Sequence, residues 1–253
     1  MAAFFVRTYS QTGRNRTLTH TAKFLLMMVL GWSACIAALS QETRTQDDSP
    51  VAQVRRDRSW EYGPFVNFGN GLGGNRSQFW FFAAGAQLGK ILTPPLHAGI
   101  LSGQFELAGN IMPIWQAYTP APHDQTFEFQ GQTYSYPVGG GTYTGASITP
   151  VIFRWNFLTH SPRIQPWFQG AGGLIYTTHK FPPDILFPKG IPGGTSVWNF
   201  SPQGGIGVHY FTRPRRSIDF GFNAVHISSA SLGDHNPGVN ALWQIQLGYT
   251  YWK

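Results

Sequence analysis

Cysteine is nearly absent from this sequence of 253 residues, since Cys35 is the only one. An intramolecular disulfide is therefore excluded, and the fold must be stabilised in another way. Charged residues are also scarce, at 11% of the chain, whereas aromatic residues reach 15%. A soluble β-barrel or β-sandwich normally has an outer surface rich in Lys and Glu, so this composition disfavours a soluble β-protein.

Long hydrophobic runs are missing after the first forty residues. The one apolar run, residues 24–39, follows a basic segment and precedes the first acidic residue, Glu42. This run is short for a transmembrane helix, which needs ~20 residues, and residues 38–40 form an acceptable small-residue cleavage site. We expect an export signal over residues 1–40, with a single transmembrane anchor as the alternative. Cys35 lies within this segment, so the mature chain would contain no cysteine.

Removal of the signal also lowers the net charge. Residues 41–253 contain fourteen Lys and Arg residues and all eleven acidic ones, which leaves an excess of +3. Arg213, Arg215 and Arg216 cluster in one turn, and nothing else suggests a nucleic-acid surface, so no nucleic-acid partner is predicted. Residues 41–58 are polar and charged and are predicted to form a mobile leader.

The remaining chain, residues 59–253, is predicted to form one all-β domain of short strands and turns. Several segments alternate between apolar and polar residues, which is typical of strands with two different faces. The eight predicted strands cover residues 60–69, 77–90, 99–111, 142–157, 164–178, 196–211, 217–228 and 240–252.

The polar faces of these strands carry Gln, Asn, Arg and Glu together with many glycines. This pattern favours an eight-stranded antiparallel outer-membrane β-barrel, apolar toward lipid and polar inside, with Trp and Tyr near the strand ends. Each segment is long enough to cross a bilayer when tilted, which takes ~9–11 residues. A soluble β-sandwich is the alternative.

The predicted connections between strands alternate in length. Residues 91–98, 158–163 and 212–216 are short, and they alternate with the longer connections at 112–141, 179–195 and 229–239. Outer-membrane barrels have short periplasmic turns and long external loops. The last long connection is therefore expected outside the cell.

His226 and Ser228 stand out near the end of the seventh predicted strand. They are two residues apart, so their side chains point to the same face, which also carries Phe220 and Phe222. Polar groups on an apolar face need a reason to be there. In the predicted barrel this face meets lipid at the outer leaflet, where a hydroxyl beside an imidazole would place a potential nucleophile.

The motif His226-x-Ser228, with Ala230 and the loop ending Asn236-x-Gly238, resembles the lipid A 3-O-deacylase (PagL) family, also described as acyloxyacyl hydrolase-like. The resemblance implies an eight-stranded outer-membrane barrel that removes an ester-linked acyl chain from lipid A. It implies His226 as the general base and Ser228 as the nucleophile. It implies no cofactor.

The chain departs from the family pattern at two positions. The Asn that usually follows the Ser is replaced by Ser229, and the acid at the start of the last strand is replaced by Asn240. An amide oxygen at Asn240 could still orient His226, but it could not stabilise the imidazolium by charge. Asp234 in the preceding loop is the alternative acid.

Two other interpretations of this region remain. Asp234 beside His235 resembles half of a metal site, but nothing fixes a third ligand, so no metal site is predicted. The second function class is a small non-enzymatic barrel with a structural or adhesive role, in which His226 and Ser228 only line a packed patch.

Overall fold

The structure is a computed structural model, and it describes residues 48–121, 123–138, 140–181, 196–230, 232 and 241–253. Its main feature is a closed antiparallel β-barrel of eight strands, which confirms the predicted fold class and excludes the β-sandwich. The described residues form eleven strand segments: β1 (Trp60–Gly71), β2 (Trp80–Ile91), β3 (Gly103–Tyr118), β4 (His123–Phe129), β5 (Gln132–Val138), β6 (Thr142–Phe157), β7 (Ile164–Phe181), β8 (Ser196–Phe200), β9 (Gln203–Arg213), β10 (Arg216–His226) and β11 (Ala241–Trp252). The segments outnumber the eight wall strands because β8 and β9 are two parts of one wall strand and β4 and β5 lie outside the wall. The predicted signal, residues 1–40, lies outside the described residues.

The barrel follows the chain as a simple meander. Around the wall the order is β1, β2, β3, β6, β7, β9, β10 and β11, and β11 then pairs with β1. Strands β8 and β9 both pair with β7 and together form one strand of the wall. Ser201 and Pro202 interrupt it between the two segments. Proline has no N–H to donate to a ladder, which accounts for the break. The start of β1 and the end of β11 lie at one end of the barrel, here called the terminal end, and the long connections lie at the other, the loop end.

Strands β4 and β5 form a separate two-stranded hairpin between β3 and β6 at the loop end. Its turn residues Gln130 and Gly131 both have positive φ, at 51° and 75°, as in the two-residue turns that match strand twist. The sequence predicts only a loop here, and it ends the third strand at residue 111 instead of Tyr118. A proline normally argues against a strand, so Pro113 led to the early end. The strand continues because the register shift between Met112 and Trp115 accommodates a proline within the wall.

The outer surface of the barrel is apolar and has aromatic residues toward both ends, as predicted. The exposed middle of the wall carries aliphatic and phenyl side chains: Phe68, Leu88, Ile111, Phe153, Phe220, Ile245 and Leu247. Exposed Trp and Tyr residues flank it: Trp60, Tyr62, Tyr210 and Tyr251 toward the terminal end, and Trp80, Tyr118, Tyr176 and Trp198 toward the loop end. Such belts are typical of barrels in a bilayer.

The lumen of the terminal half is polar, as predicted. Arg154, fully buried, donates from one Nη1 atom to Glu61 Oε1 at 2.7 Å and Glu106 Oε1 at 3.1 Å. Its Nε and Nη2 atoms donate to Gln169 Oε1 at 3.2 and 3.1 Å. Asn156 donates to the second oxygen of Glu106 at 2.5 Å. Buried charges need such partners, and this network connects opposite sides of the wall.

The lumen of the loop half is apolar, which the sequence analysis did not predict. Phe181 is 1% exposed and is surrounded by aromatic rings. Its neighbours, at centroid distances of 5.3 to 6.4 Å, are Phe79, Phe81, Trp115 and Tyr143. Polar residues therefore fill one half of the barrel and a packed hydrophobic core fills the other. The expected polar interior applies only to the terminal half.

A short helix, α1 (Pro50–Asp57), packs against the terminal end. Ser49 Oγ accepts the amide proton of Ala52 at 3.1 Å and Pro50 follows at the first helical position, which is a common helix start. Val51 and Val54 are buried in a cluster with Ile91, Phe211 and Trp252. The sequence predicts a mobile leader over 41–58, whereas residues 50–57 are helical, since two buried valines suffice to anchor so short a helix.

Arg55 fixes α1 to the turn between β6 and β7. Both terminal nitrogens of its guanidinium donate to the carbonyl oxygen of Thr159 at 3.2 Å. Burial lowers the pKa of Arg55 to about 10, so it stays protonated at neutral pH.

Among the described residues, no helix has the length and hydropathy needed to cross a membrane.

Candidate active site

His226 and Ser228 lie on the outer, lipid-facing surface at the loop end. His226 is the last residue of β10, and along this strand exposed side chains alternate with buried ones. The outward set includes Phe220, Phe222, Ala224 and His226, and Ser228 continues the same alternation. The structure therefore places the imidazole and the hydroxyl on the shared face that the sequence predicts.

Both residues are held by backbone hydrogen bonds to the neighbouring strand. Ser228 and Phe200 form an isolated antiparallel bridge, with N–O distances of 2.7 and 3.0 Å in the two directions. The His226 amide donates to the carbonyl oxygen of Pro202 at 2.9 Å. The ladder thus continues beyond the last residue of β10, although Pro202 interrupts the partner strand. A site on a rigid element is more precise than one on a free loop.

The inward neighbours of the pair anchor it in the aromatic core. Val225 and Ile227 alternate with His226 and Ser228 and are 6% and 1% exposed. Both belong to the cluster that surrounds Phe181. Because successive side chains on a strand point to opposite faces, packing of Ile227 fixes the outward direction of the two residues beside it.

The turn after Ser228 directs a backbone donor at its hydroxyl. The Ala230 amide donates to Ser228 Oγ at 3.1 Å. Ala230 has φ of +48°, a left-handed conformation that costs a non-glycine residue ~1–2 kcal/mol. Strained residues of this kind cluster at functional sites, where the surrounding structure holds them in place.

A shallow depression, here called the trough, runs across the outer surface of the wall. It lies at the level of Ala224, two residues before His226 on β10 and closer to the membrane centre. Ala224, Gly204 and Gly170 lie side by side on β10, β9 and β7. A Cβ atom added at Gly170 would meet no atom within 4 Å, and one at Gly204 would meet only a carbonyl oxygen at 3.8 Å. Larger side chains border this trough, Trp243 on β11 and Phe153 on β6. Apolar surface of this shape can accept a hydrocarbon chain lying along the wall.

The third predicted site residue, Asn240, and the alternative acid, Asp234, lie outside the described residues, as does His235. Strand β11 begins immediately afterwards, and its first residue, Ala241, pairs with His226. Position 240 is therefore adjacent in sequence to the direct cross-strand neighbour of the imidazole.

Comparison with known protein families supplies the assignment. The sequence profile of the family "Lipid A 3-O-deacylase (PagL)" matches residues 103–250, more than half of the chain. The chain belongs to this family. This match confirms the resemblance found in the sequence, and the matched range contains His226, Ser228 and Asn240. Membership in this lipid A deacylase family makes the protein a bacterial outer-membrane β-barrel of the hydrolase class.

Three solved structures are similar to this chain at low sequence identity. The outer membrane enzyme PagL has 15% identity and a TM-score of 0.42, covering 74% of this chain and 98% of that one. The Neisserial surface protein A (NspA) has 12% identity and a TM-score of 0.41, covering 76% and 95%. The N-terminal β-barrel domain of Pseudomonas aeruginosa OprF has 11% identity and a TM-score of 0.40, covering 78% and 98%. No curated protein sequence matches the chain.

Proposed function

We propose that this member of the lipid A 3-O-deacylase family is a serine esterase that removes an ester-linked acyl chain from lipid A. Ser228 is the nucleophile and His226 the general base. One observation carries the proposal: the hydroxyl and imidazole share the lipid-facing surface at the loop end. External loops mark the outer side of such a barrel, so the site faces the leaflet that contains lipid A.

The reaction follows the chemistry of serine esterases. His226 takes the proton of Ser228 Oγ as the oxygen attacks the ester carbonyl carbon, and a tetrahedral oxyanion forms. The imidazolium then gives the proton to the leaving sugar oxygen, which leaves an acyl-enzyme. Water, activated by the same imidazole, attacks the acyl carbon and releases the fatty acid, and Ser228 recovers its proton.

The backbone near Ser228 supplies one candidate donor for the oxyanion. The Ala230 N–H lies 3.1 Å from Ser228 Oγ in the free protein. In the tetrahedral intermediate, Oγ and the oxyanion are bonded to the same carbon atom. The oxyanion therefore lies close to Oγ and within reach of the same N–H. Preorganised donors aimed at developing negative charge are worth about 10²–10³ in rate each.

Asn240 is proposed to orient His226 in place of the family's acid. Ala241 is the cross-strand partner of His226, so a side chain at position 240 needs only a local change of direction to reach the ring. Its amide oxygen can accept the Nδ1 proton, which leaves Nε2 free to act as the base. A neutral amide does not stabilise the imidazolium by charge, so this variant of the site is expected to be slower than one with glutamate.

The scissile acyl chain is proposed to lie in the trough formed by Ala224, Gly204 and Gly170. This trough is next to His226 on the membrane side, and Phe222 and Ile206 continue it as apolar surface. Because the acyl chains of lipid A already lie in hydrocarbon, the chain would be held there by close packing against the wall and not by removal from water. A chain lying there would place its ester group near Ser228, at the polar edge of the leaflet.

The test is mass spectrometry of lipid A from bacterial cells with and without the protein. We expect the protein to remove the mass of one acyl chain and the Ser228→Ala variant to leave lipid A intact. Unchanged lipid A in cells that contain the folded parent protein would contradict the esterase proposal and favour a non-enzymatic barrel.

A further inference from the structure

The terminal half of the lumen has an excess of buried acidic groups. Three carboxylates are buried among the described residues of the wall, those of Glu61, Glu106 and Asp219, whereas Arg154 is the one buried arginine there. Glu61 and Glu106 share a single nitrogen of that arginine. An uncompensated charge away from water is costly, and a carboxyl group there either takes up a proton or gains a positive partner. The excess therefore makes this part of the lumen a candidate cation site.

Several buried atoms beside this cluster have no hydrogen-bond partner among the described residues, and two of them are possible metal ligands. They are Glu61 Oε2 and His209 Nε2, and both side chains are at most 1% exposed. One ligand atom from each of Glu61, Glu106 and His209 lies within 4.8 Å of the other two. Gly89 keeps this space open, because a Cβ there would lie 2.6 Å from Glu106 Oε1 and 2.7 Å from Glu61 Oε1.

The orientation of His209 is fixed by a carboxylate on the neighbouring strand. His209 Nδ1 lies 2.8 Å from Asp219 Oδ1, and Asp219 also accepts hydrogen bonds from Ser217 at 2.7 Å and from Thr250. With the proton on Nδ1, a neutral imidazole presents the lone pair of Nε2. A carboxylate that holds the far nitrogen of a histidine is the usual arrangement behind metal-binding imidazoles.

We propose that Glu61, Glu106 and His209 bind a divalent transition-metal ion of the Zn²⁺ type inside the barrel. Two carboxylates and an imidazole suit Zn²⁺, whereas Mg²⁺ and Ca²⁺ prefer sites made of oxygen atoms alone. The ion would add the positive charge that two glutamates sharing one guanidinium lack. The residues belong to β1, β3 and β9, which explains why sequence spacing gave no sign of the site.

The first experiment measures metal stoichiometry and affinity on untagged barrel, refolded in detergent and treated with a chelator. After the chelator is removed, the protein is incubated with Zn²⁺ and free ion is dialysed away, and we then expect one Zn²⁺ per chain by elemental analysis. Glu61→Gln and His209→Gln each remove a direct ligand, so each should weaken binding by at least the ~10- to 100-fold that is typical for loss of an outer-shell partner. His97→Ala and His179→Ala, which remove exposed histidines, are the controls and should bind like the parent.

A second readout uses two tryptophans next to His209, since Trp252 and Trp167 have ring centroids 5.0 and 6.0 Å from its own. Paramagnetic Co²⁺ bound at this site should quench their fluorescence with saturation, and His209→Gln should abolish the saturable quenching. X-ray absorption of the Zn²⁺-loaded parent should show one imidazole ligand. If a variant fails to fold, this spectrum decides alone.

Absence of stoichiometric Zn²⁺ in the parent, or equal binding by a folded His209→Gln variant, would overturn the proposal. So would an absorption spectrum without imidazole.

Discussion

Ser228 and Phe200 exchange two backbone hydrogen bonds, of 2.7 and 3.0 Å, beyond the last residue of β10. The proposed nucleophile is therefore part of the sheet, even though the chain leaves regular structure directly afterwards. His226 is tied to the same neighbour strand through Pro202. Consequently, changes at the tips of the long loops should disturb the two proposed catalytic residues less than changes in the wall beneath them.

Replacement of either proposed catalytic residue should abolish most activity. Ser228→Ala removes the nucleophile and His226→Ala the base, so each should lower kcat for lipid A deacylation by at least ~10³. Ser229→Ala is the matched control, because its hydroxyl faces inward, is buried and makes no hydrogen bond among the described residues. Rates on one purified lipid A, with far-ultraviolet circular dichroism as the folding check, decide the matter. An active Ser228→Ala variant would contradict the mechanism.

Loss of packing behind the site should reduce activity more than loss of packing elsewhere. Ile227 and Ile91 are both 1% exposed but lie in opposite halves of the lumen. Each substitution by alanine should lower the free energy of unfolding by about 2–5 kcal/mol. Ile227→Ala should also lower kcat of the folded protein, because it frees the residues beside it, whereas Ile91→Ala should not. Equal kcat values for the two folded variants would contradict the claim that packing of Ile227 positions the catalytic residues.

A larger side chain in the trough should weaken binding of long acyl chains. Gly170→Leu has room for the new side chain, since a Cβ meets nothing within 4 Å, and it would occupy the path proposed for the acyl chain. We expect KM for lipid A to rise several-fold while kcat for a short-chain soluble ester stays the same. Ala86→Leu, also on the lipid-facing surface but on β2, is the control. An unchanged KM for Gly170→Leu would show that the acyl chain of lipid A does not bind in the trough.

Substitution of Asn240 tests the orienting group. If its amide oxygen accepts the Nδ1 proton of His226, Asn240→Ala should lower the deacylation rate. Asn240→Glu should preserve or raise it, because a carboxylate adds the charge that stabilises the imidazolium. Both rates are measured on the same lipid A. An Asn240→Ala rate indistinguishable from the parent would exclude this role and make Asp234 the next residue to test.

The sequence predicted the barrel well, because alternation of side chains is a local property. The predicted strand 142–157 has the observed bounds, and most other strand ends differ by a few residues. The errors occur where tertiary structure overrides local propensity. Pro113 lies inside a long strand because a register shift accommodates it, and the β4–β5 hairpin is marked only by the Gln130-Gly131 turn.

The candidate site was predictable in part for the same reason. The shared face of His226 and Ser228 follows from their spacing of two, and the structure places them so. The backbone bonds to Phe200 and Pro202 were not predictable, since they depend on pairing between distant segments. The division of the lumen was missed as well, because inward residues such as Phe181 and Glu106 occur in strands with similar alternation.

Helix α1 has a consequence for what can pass through the protein. Its valines fill the terminal end together with Trp252, and the rings around Phe181 fill the loop half. A barrel obstructed at both levels should be electrically silent: reconstituted into a planar bilayer, it should show no ion conductance, and vesicles that contain it should retain small solutes. Removal of residues 48–58 alone should not open a pore, since the aromatic half would still block the passage.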